Sequence, residues 1–136
     1  MEQKLKKGEA DIKIDFKTST ITIFKETLEV IKNPEFIEIK VNPKEKLLVL
    51  SPVMFGAPVL GHTKVNKKQV EKMQCFDMVA STIVYKLGEL MGILDYKSQY
   101  LIHGKFSSSM DGIVFDLKDY VIVPKTKKGF DEKGKY

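Results

Sequence analysis

The side chains able to bind a metal or act as nucleophiles are few and far apart. The chain has two histidines, His62 and His103, and one cysteine, Cys75. Their separations match neither H-x-x-x-H nor C-x-x-C, the spacings that bring two donors onto one helix face or one metal-binding turn. His103 lies in a strand-like segment and reads as a packed or surface histidine. His62 lies in a glycine-containing loop with no second ligand nearby. Cys75 opens an apolar helical stripe, where a helix N-terminus could lower its pKa, but the first position of such a stripe favours a buried, inert thiol. Ser107, Ser108 and Ser109 form a polar turn without the G-x-S-x-G of a nucleophile elbow. In "FGAPVLGHTK", Gly56 and Gly61 are spaced as in a phosphate-binding loop, but His62 stands where the lysine belongs. Asp111, Asp116 and Asp119 sit among apolar residues as acids do in hairpin turns and on solvent faces, which does not indicate paired acid-base carboxylates. The expectation is a protein that is not an enzyme and uses no metal and no cofactor.

Charge narrows the partners. The net charge of +5 comes from 23 lysines against 18 acids, with no arginine. Residues 1–7 contribute +2 (three lysines, one glutamate) and residues 125–136 contribute +3 (five lysines, two acids). The stretch 8–124 holds 15 of each sign and is neutral. The sequence therefore divides into a basic tail (1–7), one domain (8–124) and a second basic tail (125–136). Such tails can supply sequence-independent attraction to phosphates. Without arginine, the bidentate contact to guanine is absent. A single cysteine excludes an intrachain disulfide. The N-terminus lacks the apolar core of a signal peptide, and no apolar run reaches the length of a membrane span. A cytoplasmic protein with no membrane contact is expected.

Hydropathy period supplies the elements. "DIKIDF" (11–16) alternates as a half-buried strand, and "KTST" turns it into "ITIF" (21–24). Phe24, Leu28 and Ile31 share one helical face, predicting a short helix over about 25–32 that Asn33-Pro34 ends. "FIEIKV" (36–41) and "KLLVL" (46–50) read as strands around the "NPKE" turn. Residues 53–69 show no sustained period and read as a loop, the segment best suited to function. In "QCFDMVASTIVYKLGELMGIL", Phe76, Val79, Ala80, Ile83, Val84, Leu87, Leu90, Met91 and Leu94 recur at helical spacing. This predicts one long helix over about 75–92, with Gly92 near its cap. "YLIHGKF", "IVFDL" and "KDYVIVP" complete the strands. The expected fold is α+β: a single, mainly antiparallel sheet of six or seven short strands packed on the long helix, with the short helix beside it.

In "STITIFKETLEVIKNPEFIEIKVNPKEKLLVLSP", the order strand, short helix, strand, turn, strand resembles the AbrB/MazE swapped-hairpin unit. That resemblance implies a DNA-associated, dimeric protein that contacts phosphates through lysines near the first strands, here Lys13, Lys17 and Lys25. Over most of its length the chain also resembles small uncharacterised proteins of phages and mobile elements of Firmicutes. These share "ITIFKETLEVIKNPEFIEIKVNPKEKLLVL", a polar loop, a helix with Ser81-Thr82, and a strand with Gly104.

Two functions follow as expectations. The first is a protein-binding accessory factor of a phage or mobile element, such as an inhibitor of a host defence complex. Its contact residues would come from the loop: Phe55, His62, Lys64, Lys67 and Lys68. The second is a DNA-associated regulator that meets the nucleic acid backbone through the lysines named above. Either could act as a homodimer.

Overall fold

The computed structural model describes residues 7–53, 62–93 and 95–123. Strand β1 (Glu9–Asp15) buries Ala10, Ile12 and Ile14 and turns its acids outward. The Asp15 carboxylate then accepts the N–H groups of Lys17 (3.0 Å) and Thr18 (3.3 Å) and so closes the turn to β2 (Thr20–Phe24). Helix α1 (Lys25–Val30) has only six residues, too few to persist alone. It is held by burial of Leu28 and by the Thr27 hydroxyl, which donates to the Asp11 carbonyl at 2.6 Å. Strands β3 (Phe36–Asn42) and β4 (Leu47–Val53) form a hairpin. They are followed by β5 (His62–Lys64), α2 (Lys67–Met73), β6 (Cys75–Val79), α3 (Ser81–Met91), β7 (Gln99–Ser107) and β8 (Gly112–Val123).

The strands form one eight-stranded sheet in the order β5-β3-β4-β8-β7-β1-β2-β6, antiparallel throughout. Strand accounts for 51% and helix for 22% of the described residues, so a curled half-barrel sheet is the spine of the core. This corrects the expected long helix over 75–92. The stretch instead splits into β6, the bend at Ala80, and α3, whose left-handed cap is Gly92 (φ 67°). Within "CFDMV", Phe76 and Met78 point inward while Cys75, Asp77 and Val79 point outward. Phe76 satisfies both periods, and only pairing with β2 selects the strand. The Thr22 hydroxyl fixes that pairing by donating to Asp77 Oδ1 at 2.6 Å. The expected loop over 53–69 also contains β5 and the first three residues of α2, whose Asn66 cap accepts the Gln69 N–H at 3.1 Å.

The strand order makes the helices bridges. α1 carries the chain from β2 to β3, and α2 carries it from β5 back to β6. Each thus spans from one end of the sheet to the other. A helix of this length reaches only about 10 Å, so the sheet must curl to bring its ends together. The two bridges are tied at both ends. The Lys25 N–H donates to the Gln74 carbonyl (3.0 Å), and Lys67 Nζ donates to the Asn33 carbonyl (2.8 Å).

β8 joins the two halves of the sheet. Its first part pairs with β4 (Leu50↔Ile113 to Leu47↔Asp116) and with β7 (Ser107↔Gly112 to Gly104↔Phe115). The register then slips: from Ile102 to Gly104 on β7, β8 runs from Tyr120 back to Phe115. The extra residues bulge at Asp116–Asp119, where Asp116 Oδ1 accepts the Lys118 N–H at 2.9 Å and meets Lys118 Nζ at 3.1 Å. Beyond the bulge, β7 is the one strand partner of β8 among the described residues.

Three outcomes test this architecture. Val79 is 74% exposed and Met78 8% exposed. In urea denaturation, Val79→Lys should change stability by less than about 0.5 kcal/mol, whereas Met78→Lys should cost several kcal/mol by burying a charge. A continuous helix would make Val79 a costly site. A methyl group on Gly104 would lie 2.6 Å from Phe115 Cδ2 and 2.7 Å from the Val114 carbonyl oxygen, so Gly104→Ala should cost roughly 1–3 kcal/mol. The Lys118 N–H holds the Asp116 carboxyl below its usual range. Asp116→Asn should therefore be less stable than the parent at pH 7, and the difference should begin to shrink near pH 4 and be lost as pH falls further, through the depressed folded-state pKa.

Candidate protein-interaction cleft

Three turns that are distant in sequence converge at one end of the half-barrel. After α1, Ile31 caps the helix, and Lys32 (φ 66°) and Asn33 (φ 49°) take left-handed backbone. The Asn33 N–H returns to the Leu28 carbonyl at 2.8 Å, and Pro34 and Glu35 lead into β3. β4 ends at Pro52 and Val53. The β7–β8 turn contributes Phe106 on one side and Asp111 (φ 52°) on the other. Left-handed backbone is unstrained for glycine and tolerable for Asn or Asp, but costly for lysine. The turn is pinned from behind by Lys67 on the Asn33 carbonyl and by the Val65 N–H on the Glu35 carbonyl (2.8 Å).

Between these turns lies a cleft of about 600 Å³, a size that suits a peptide side chain cluster or a small ligand. Its walls are Val30, Ile31, Pro34, Pro52, Val53 and Phe106, with Lys32, Glu35 and Asp111 as the charged groups. Two carboxylates against one ammonium leave the lining net negative. Phe106 is 42% exposed, so its ring faces solvent.

The described residues among those expected from sequence are spread over several elements. Lys13 lies on the outer face of β1, in register with Thr22 and Leu101 and flanked along its strand by Asp11 and Asp15. Lys17 sits in the β1–β2 turn and Lys25 begins α1. His62 and Lys64 belong to β5, Lys67 and Lys68 open α2, and Lys67 is occupied by Asn33. Lys25, Lys67 and Lys68 share the bridging helices with Glu26, Glu29 and Glu71, so the charge there is mixed. Phe55 and nearly all of both basic tails lie outside the described residues.

Comparison with protein-family models, curated proteins and solved structures finds no match to this chain. The geometry alone therefore carries the functional reading.

Other polar groups offer less. His103 lies on the outer face of β7, with Nδ1 2.9 Å from Asp11 Oδ1 and Nε2 3.7 Å from Glu9 Oε1. Among the described residues, no group of three His, Cys, Asp or Glu side chains is placed to hold a metal ion. No helix among them is long and apolar enough to cross a membrane. The Ser51 Oγ is buried without a hydrogen-bond partner among the described residues, against Gly112. Cys75 pairs with Phe24 across β2 and β6 rather than opening a helix.

The cleft residues were present in the sequence only as turn punctuation: Asn33-Pro34, Ser51-Pro52 and the polar run before Gly112. Nothing along the chain signals that these turns meet. Cys75 yields a direct check. Burial pushes its thiol pKa up, and Asp77 adds to the effect. Alkylation by iodoacetamide near pH 7.5 should be slower than for a free thiol peptide, and Asp77→Asn should speed it. Equal rates for protein and peptide would contradict this placement.

Proposed function

We propose that this protein is a non-enzymatic protein-binding factor that takes a short segment of a partner protein into the cleft between the α1–β3 and β7–β8 turns. The observation that carries the reading is the formed apolar cleft with the solvent-facing Phe106 ring on its wall. Exposed aromatic rings in concave sites are favoured anchors for partner side chains. Glu35 and Asp111 give the occupant its chemistry: an apolar anchor with a basic neighbour. We further propose, on the resemblance read from the sequence alone, that the partner is a host protein.

The DNA-associated reading draws its support from the lysines and the basic tails, and it enters as the competing arm of the test. Peptides selected from a random library against the full chain should share an apolar residue beside Lys or Arg. Phe106→Ala and Asp111→Asn should each weaken a selected peptide by about tenfold or more. Peptides that bind both variants as well as the parent would overturn the proposal. So would failure to select any peptide alongside tight, steeply salt-dependent binding to random duplex DNA.

A further inference from the structure

Lys32 stands in the cleft wall against the preference of its backbone. Helix α1 ends in a Schellman-type turn after its cap at Ile31. The Lys32 N–H donates to the Glu29 carbonyl (3.0 Å) and the Asn33 N–H to the Leu28 carbonyl (2.8 Å). The first residue after the cap in such a turn is left-handed and is usually glycine. Here it is Lys32, at φ 66°. Glycine has no Cβ to clash in that conformation, whereas lysine does. Strain of this kind at a site points to a role for the side chain that carries it. A cation at a helix C-terminus also gains from the last carbonyls, but the turn itself already takes those of Leu28 and Glu29.

The Lys32 side chain lines the cleft. Its ammonium forms no ion pair among the described residues, although Glu35 and Asp111 line the same cleft. The backbone beneath it is held from behind, because Lys67 Nζ donates to the carbonyl of the next residue, Asn33, at 2.8 Å. The base of the side chain is thus fixed before an occupant arrives, which lowers the entropy lost on binding. We infer that Lys32 is a specificity-determining residue of the cleft and that its ammonium pairs with a carboxylate of the bound segment. The inference rests on the cleft being a peptide site. The occupant then carries a basic group for Glu35 and Asp111, an apolar anchor for Phe106, and an acid toward the α1–β3 turn. An Asp or Glu side chain and a free C-terminus offer the same chemistry to Lys32.

The test uses soluble synthetic copies of the peptides selected against the full chain, titrated by fluorescence polarisation. Copies with Asp and Glu replaced by Asn and Gln, and copies with an amidated C-terminus, show which carboxylate matters. The copy lacking it should bind the parent about threefold to fivefold more weakly, as for a partly exposed ion pair. Lys32→Met should lose a similar factor on the charged peptide and should not distinguish it from the neutral copy. Lys32→Glu should prefer the neutral copy. Lys86→Met, at an exposed position of α3, should behave as the parent. Lys32→Gly should bind like Lys32→Met yet raise the thermal midpoint by about 2–4 °C, because glycine relieves the left-handed backbone. Peptides that bind Lys32→Met as tightly as the parent overturn the inference, as does an equal loss in both proteins on neutralising the peptide. Phe106→Ala and Asp111→Asn still report on the cleft in either case. A Lys32→Gly protein less stable than the parent also overturns it, since the lysine would then serve the fold. If no peptide is selected, the cleft reading itself fails and takes the inference with it.

Discussion

The rings and backbones packed where β8 passes between β4 and β7 hold the molecule together. Phe115 is fully buried there, lying against Gly104 so closely that no Cβ fits beneath it. Three pairings further along, Gly112 lies against the Leu50 carbonyl and the Ser51 hydroxyl with equally little room. Here, through β8, the hydrogen-bonded strands of the β5-β3-β4 half of the sheet are joined to those of the β7-β1-β2-β6 half. Burial of Ile113, Phe115, Leu48 and Leu50 across it contributes on the order of 1.5–3 kcal/mol per side chain. A sheet joined by one strand depends on the packing of that strand.

The same seam shapes both the cleft and the far end of β8. At the Gly112 end, the β7–β8 turn swings out and forms one wall of the cleft, opposite the left-handed turn after α1. At the Asp116 end, the bulge carries β8 away from β4 and leaves an edge with no strand partner among the described residues. The Asx-like bond from the Lys118 N–H to Asp116 supplies a local reason for the bulge at that point. The bridging helices act at a third place. By linking the ends of the sheet within a short reach, α1 and α2 set its curl, and through Lys67 and Val65 they brace the wall of the cleft.

The stretch from β2 to β4 shows how local order and tertiary placement separate. Its sequence of strand, helix, strand, turn and strand is present over Thr20–Val53. Yet β2 and β3 stand four strands apart in the sheet, with β4, β8, β7 and β1 between them. Lys13, Lys17 and Lys25 accordingly sit among Asp11, Asp15, Asp77 and Glu26 rather than on one basic surface.

The sequence by itself determined most of the strands, the short first helix and the cap at Gly92, because each depends on neighbours within a few residues: alternation, a proline, a glycine in left-handed backbone. It also determined that the charge of residues 8–124 balances. It could not decide between strand and helix for "CFDMV", where Phe76 fits both periods, because the choice depends on hydrogen bonds to β2, more than fifty residues earlier. It could not show that Asn33-Pro34, Pro52-Val53 and Asp111 meet, or that β8 would part from β4 at Asp116. Those outcomes depend on the closure of a curled sheet, where each strand's partner and each turn's neighbour come from distant parts of the chain. Periodicity records which face of an element is apolar, but only the folded sheet supplies the surface that covers it or leaves it open.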